Sequence, residues 1–238
     1  MDSGEIKRAV GRRAAEQLVN SGMKLGLGTG STAIEAVRRV GELVRAGALR
    51  DLKVVPTSFQ TEVACRELGI SLWSLNDPLI AGRLDLTIDG ADEVDPAWRL
   101  VKGGGAAMLI EKIVAHASRD YAIIVDSSKI VGRLGEKAPV PVELVPEALL
   151  TVSRAVEALG GVPALRMARM KDGPVITDHG NFVLDVRFSA AFDPSLMERE
   201  LMLIPGVMAH GIFTRPVSDL IVGWPDGRVE HTRKPKAD

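Results

Sequence analysis

Apolar positions along the first half of the chain fall into two spacings. Helical spacing recurs in residues 32–46, 61–68 and 106–117, and short apolar or alternating runs occupy 24–28, 53–56, 84–88 and 121–125. Strand and helix therefore alternate, the order of βαβ units feeding a parallel sheet. The amino-terminal stretch MDSGEIKRAVGRRAAEQLV has no uninterrupted apolar core behind its charges, and it predicts an amphipathic helix rather than a secretion signal.

Beyond Lys129 the punctuation changes. A proline-rich segment, 139–146, leads into a helix over 147–159, strand-like runs at 163–169, 174–177 and 181–188, a helix over 193–203 and a strand over 207–214. That order, βαββαβ, suits a small ferredoxin-like α+β domain. Residues 219–222 form one more apolar run able to return to the first sheet, and the charged end, 228–238, is expected to fray. The predicted fold class is α/β. A Rossmann-like parallel sheet layer takes residues 1–133 and 212–238, and a smaller α+β domain, 134–211, is inserted into it.

With 238 residues, 46% of them hydrophobic and 26% charged, the chain can bury a full core. Thirty basic against thirty-one acidic residues leave a net charge of −1, which argues against a nucleic-acid or anionic-membrane surface. Any cationic site is local. Cys65 is the single cysteine, so there is neither an internal disulfide nor a paired-thiolate zinc site, and a reducing, cytoplasmic setting is expected. No segment approaches the ~20 apolar residues of a membrane span.

Three segments carry candidate chemistry. GLGTGST, residues 26–32, joins a strand to a helix, where closely spaced glycines let backbone N–H groups approach a phosphate. Gly28, Gly30 and Ala33 also satisfy G-x-G-x-x-A, and Asp51 lies near the distance of a ribose-binding acid, so a nicotinamide cofactor stays open. The plain alternative is a tight turn capped by Ser31 or Thr32. DGADEVD places Asp89 at the carboxyl end of a strand, followed by Asp92, Glu93 and Asp95. Such a cluster is either a solvated turn or, at that sheet edge, a ligand site. No paired cysteines or histidine spacing accompany it, which disfavours a transition metal and leaves magnesium open.

In LVKGGGAAMLIEKIVAHAS, Lys102 is followed by Gly103, Gly104 and Gly105 and then by a helix, a combination suited to an oxyanion. Glu111 has Ala107, Met108, Val114 and Ala115 as its helical neighbours. A carboxylate on such a stripe resists ionisation and is suited to general acid/base work. Lys112, being adjacent, does not face it. Asp126 and Lys129 leave a fourth strand at the same sheet edge. The four histidines, His116, His179, His210 and His231, show no ligand spacing, and G-x-S-x-G, H-E-x-x-H and G-K-[ST] are absent.

Taken in order, GTGST, PTSFQ, DGADEVD, KGGGAAMLIEKIVA and DSSK, with EIKRAVG before them and ITDHGNFVLDV, PGVMAHGIF and LIVGWPDG after, closely resemble ribose-5-phosphate isomerase of the A type. The resemblance implies interconversion of D-ribose 5-phosphate and D-ribulose 5-phosphate, no metal or organic cofactor, and a homodimer or homotetramer. The expected partner is the small pentose phosphate, with no nucleic acid and no membrane, the latter two on the balanced charge and the lack of an apolar span. Carried over by position, it makes Glu111 the proton-transferring base, with Asp89 and Lys102 catalytic beside it. Substrate contacts fall on Lys7, Thr29, Gly30, Ser31, Thr32, Asp89, Gly90, Ala91, Asp92, Lys102, Gly103, Gly104, Gly105 and Lys129. Two positions depart from the pattern: Ile110 stands where an arginine often precedes the glutamate, and His179 where asparagine is common. A sugar-phosphate sensor that has lost the base and a related deaminase or lactonase are the competing readings.

Overall fold

A computed structural model of the chain describes residues 1–234. The elements in chain order begin with α1 (Ser3–Leu18), β1 (Lys24–Leu27), α2 (Ala33–Arg45), β2 (Lys53–Pro56), α3 (Phe59–Glu67), β3 (Leu84–Asp89), β4 (Glu93–Val94), β5 (Leu100–Val101), α4 (Met108–Ala117) and β6 (Ser118–Asp126). They continue with β7 (Val140–Leu144), α5 (Leu149–Ala158), β8 (Gly161–Leu165), β9 (Phe182–Phe188), α6 (Pro194–Met202), β10 (Val207–His210), β11 (Ile212–Phe213), β12 (Asp219–Gly223) and β13 (Val229–Arg233). They cluster into two units. One comprises residues 1–90, 113–129 and 215 onward, the other residues 91–112 and 130–214.

In the first unit the short apolar runs become a six-stranded sheet of order β13-β12-β6-β3-β1-β2. All its pairings are parallel except that of β13 with β12. Leu25, Leu27, Val54, Ile88, Ile124 and Ile221 are buried together with Val10, Ala14 and Val37 of the helices, which is why these strands read as nearly unbroken apolar runs. Parallel pairing brings the carboxyl ends of β1, β3, β6 and β12, at Leu27, Asp89, Asp126 and Gly223, to one edge. A Cβ at Gly223 would lie 2.5 Å from Ile6 Cγ2, so α1 passes over the end of β12 and carries Lys7 to that same edge.

The chain end differs from expectation. Residues 229–233 do not fray but pair with β12, from Asp219↔Arg233 to Gly223↔Val229. His231 Nε2 also lies 2.8 Å from Asp219 Oδ1. Four of the five residues of this edge strand are exposed, so it has no apolar alternation to betray it. The remainder of the predicted frayed end, residues 235–238, lies outside the described residues.

The second unit has the predicted βαββαβ order, from β7 to β10, as an antiparallel sheet of order β10-β7-β9-β8 with α5 and α6 packed on it. Val140, Val142, Leu144, Val152, Val156, Leu184 and Leu201 form its core. Residues 174–177 do not make a strand, and only a bridge from Met167 to Pro174 marks that run. The predicted strand 207–214 is split at Gly211, where a Cβ would lie 2.2 Å from the Lys102 carbonyl. Gly211 instead links two segments, donating to Pro141 O at 2.7 Å and accepting from Lys102 N–H at 2.8 Å. Beyond it β11 pairs with β5, which draws residues 91–112 into this unit.

Candidate active site

In the first unit the loop after β1 is built around Asp89. A Cβ at Gly28 would come within 2.0 Å of Asp89 Oδ1, so glycine is required there for the carboxylate to approach the backbone. Asp89 is fully buried, and its Oδ1 accepts from the N–H groups of Gly90 at 2.7 Å and Thr29 at 3.2 Å. The Thr29 hydroxyl donates to Ser58 Oγ at 2.6 Å and lies 2.7 Å from Thr57 Oγ1, while Thr61 donates to the Gly28 carbonyl at 2.7 Å. Gly30, at φ +100°, gives its N–H to Gln60 Oε1. Thr32 stands at the N-cap of α2 without a side-chain cap bond, while the turn's own backbone takes two of the helix's first donors, Ile34 N–H giving to Gly30 O at 3.0 Å and Glu35 N–H to Thr32 O at 3.1 Å. The positive end of the helix dipole at this loop suits a phosphate.

The dinucleotide reading fails on topology. Asp51 precedes β2, and since β1 and β2 are parallel in register from Lys24↔Lys53, it lies at the opposite sheet edge from Gly28. At the carboxyl end of β6, Asp126 accepts from Ser128 N–H at 3.0 Å and from its hydroxyl, which fixes the single turn that carries half-buried Lys129.

In the second unit Lys102 Nζ stands 3.3 Å from Glu111 Oε1, with only 3% and 5% of the two side chains exposed. Helical neighbours alone suggest that Glu111 faces apolar groups. The structure adds an ammonium, brought there because β5 ends at Val101 and Lys102 N–H is held by Gly211 O. Lys102 Nζ also lies 5.7 Å from the Phe213 ring centre. As the sequence requires, Lys112 turns elsewhere, donating to Glu198 Oε1 at 2.9 Å and Ile212 O at 2.5 Å. Gly103 adopts φ +101° with Pro141 Cγ 3.0 Å from where a Cβ would sit. Gly104 donates its N–H to Asp92 Oδ2 at 2.8 Å, and a Cβ there would be 2.8 Å from Asp92 Oδ1. Gly105 and Gly104 are exposed.

The acidic cluster separates into roles its composition hides. Glu93, fully buried, accepts from the N–H groups of Gly135, Lys137 and Ala138 at 2.6 to 2.7 Å, and so holds a loop. Asp95 caps its own turn through Ala97 and Arg99 N–H and pairs with the Arg99 guanidinium. Asp89 instead holds the loop after β1, Asp92 holds the Gly104 N–H, and Gly90 and Ala91 are half-buried. Gln60 and the hydroxyls of Thr57, Ser58 and Thr61 are site-building residues with no assigned role in the sequence, although the PTSFQ segment contains the first three. His179 is exposed in a turn whose Thr177 and Asn181 side chains donate to buried Glu143, so its departure falls on solvent.

A family model described as Ribose 5-phosphate isomerase A (phosphoriboisomerase A) matches residues 53–227. Ribose-5-phosphate isomerase A of Treponema denticola is 44% identical over 237 residues, covering 97% of this chain and 99% of its own. That of Thermosynechococcus vestitus is 49% identical, with 92% and 91% covered. Among solved structures, a D-ribose-5-phosphate isomerase in complex with phospho-erythronic acid superposes with a TM-score of 0.93 at 38% identity, covering 98% of this chain and 100% of that one. The ribose 5-phosphate isomerase A of Methanocaldococcus jannaschii gives 0.90 at 39% identity, with the same coverage.

Proposed function

The chain belongs to the ribose 5-phosphate isomerase A family, and from that premise we propose how its residues divide the reaction among them. It interconverts D-ribose 5-phosphate and D-ribulose 5-phosphate. An aldose–ketose isomerisation moves one proton between C2 and C1 and places negative charge on oxygen in the enediolate between them.

Glu111 takes the proton from C2 and returns it to C1. The buried pair of Glu111 with Lys102 carries this assignment, since it keeps the carboxylate out of water with a cation at hand. When the carboxylate accepts the substrate proton, its attraction for the Lys102 ammonium falls as charge grows on the substrate oxygen, and the ammonium turns to that oxygen. The Gly105 N–H assists. Asp89 moves hydroxyl protons during ring opening, and Asp92 orients the sugar. Ser31, Thr32, Lys7 and Lys129 hold the phosphate, whose binding energy positions the reacting carbons. Gly30, Gly90 and Ala91 supply backbone to the same substrate.

The reaction needs no organic cofactor or metal in this reading, because base and oxyanion partner are both side chains. The test is a coupled assay for ketopentose formation from ribose 5-phosphate in the presence of a chelator. Sustained turnover supports it, and turnover that vanishes with chelation or never occurs refutes it. A homodimer or homotetramer is the proposed assembly, supported by the exposed Leu150, Val162 and Leu203 of the second unit. A cytoplasmic setting fits the lone thiol, Cys65, which burial pushes up to about 12 and so keeps protonated.

A further inference from the structure

Within the second unit, the backbone of the glycine run is gripped from outside by a residue that the sequence does not single out. Arg166, just after β8, donates through Nη1 to the carbonyls of Gly103 at 2.9 Å and Gly104 at 3.2 Å. Its other edge is locked on Asp185 of β9, Nε to Oδ2 at 2.9 Å and Nη2 to Oδ1 at 2.5 Å. The backbone of Arg166 is itself fixed, donating to Val183 O and accepting from Val175 N–H, both at 2.8 Å.

A trans peptide points its C=O and the following N–H in opposite directions. Holding the Gly103 carbonyl therefore turns the Gly104 N–H away from Arg166, and that N–H meets Asp92 Oδ2. Holding the Gly104 carbonyl likewise turns the Gly105 N–H away. Without the clamp, the Gly103 carbonyl keeps its bond from Ala106 N–H at 3.0 Å but the Gly104 carbonyl loses its guanidinium partner, and the glycines on either side let that peptide turn its oxygen toward an anion.

We propose that Arg166, braced by Asp185, is a positioning residue for isomerisation: it fixes the Gly103–Gly104 and Gly104–Gly105 peptide planes so that the first N–H stays on Asp92 and the second, rather than a carbonyl, is turned to the developing oxyanion. The proposal rests on the isomerase reading above and adds to it a residue that need not touch substrate. A guanidinium is suited to the task because its planar fork serves a carboxylate and the carbonyls at once.

The experiment measures kcat, KM and two inhibition constants for the wild type, Arg166→Ala, Arg166→Lys and Asp185→Asn. The inhibitors are inorganic phosphate and phospho-erythronic acid, whose carboxylate stands in for the enediolate oxygens. For Arg166→Ala the expected kcat is about 10- to 100-fold lower, the scale of a misplaced reacting group. Its KM and phosphate inhibition should stay within about threefold, and phospho-erythronic acid should weaken in step with kcat. Added guanidinium ion should restore part of the Arg166→Ala rate, and Asp185→Asn should show the same pattern to a lesser degree. If Arg166→Ala does not fold, Arg166→Lys and Asp185→Asn are judged by the same criteria. Unchanged kcat, or a loss confined to KM and phosphate inhibition, overturns the clamp while an active wild type leaves the isomerase reading standing. A wild type with no turnover overturns that reading itself.

Discussion

Lys102 Nζ and Glu111 Oε1 lie 3.3 Å apart, both side chains buried, one at the end of β5 and the other on the first turns of α4. A buried carboxylate beside a cation is sensitive to that partner in both its charge and its placement. Removing one member of such a pair typically costs about 3–5 kcal/mol.

Lys102→Met should therefore lower both stability and rate. The expected kcat is about 10²- to 10³-fold lower, as for loss of an oxyanion donor. The acid limb of the pH–rate profile should move to higher pH, because a buried carboxylate stripped of its cation takes up a proton more readily. A profile with the wild-type midpoint would show that the ammonium does not govern the charge of Glu111.

Lys129→Ala addresses the other end of the substrate. Lys129 stands on a turn held by Asp126 at the carboxyl end of β6. A charge-assisted bond contributes about 1.5–3 kcal/mol, so KM and the inhibition constant for inorganic phosphate should both rise by about 10-fold or more. A change in kcat alone would assign Lys129 to a different step.

Acid stability is set in part by His210. Burial first, and then the nearby Lys112 ammonium, push its pKa down from the ordinary 6.5 to about 3. Its Nδ1 accepts from Ile212 N–H at 3.2 Å, in keeping with a neutral ring. Above pH 6.5 the folded and unfolded chains both hold this histidine neutral, and its contribution is complete. As pH falls below 6.5 the unfolded chain is protonated first, so stability drops by about 1.4 kcal/mol per unit until about pH 3. Relative to His210→Gln, the wild type should lose about 2 kcal/mol more between pH 7 and 5, measured by denaturant unfolding. Parallel losses in the two proteins would place the acid sensitivity elsewhere.

Much of this molecule could be read before its fold was seen, and the failures share a cause. The middle of β6, 121–125, is buried on both faces and declares itself as an apolar run, β3 shows itself by the alternation of Leu84, Leu86 and Ile88, and the glycines after Lys102 mark a loop in which Gly103 takes φ +101°. The edge strand β13 is held by backbone pairing to β12 and by His231 with Asp219, neither of which leaves an apolar period. The break at Gly211 is equally silent, since it answers to the Lys102 carbonyl more than a hundred positions away. At the site, residue types were legible and partners were not. Glu111 looked apolar all round because a helix pattern reports only its own neighbours, and the four acids of DGADEVD look alike until each is seen to hold a different stretch of backbone.

The central claim is that the Glu111 carboxylate carries the proton between C2 and C1, and turnover of Glu111→Gln tests it most directly. The amide keeps the size and polarity of the side chain but has no basic oxygen. The account predicts a kcat lowered by about 10²- to 10⁴-fold with phosphate inhibition preserved. A variant turning over at close to the wild-type rate would contradict it.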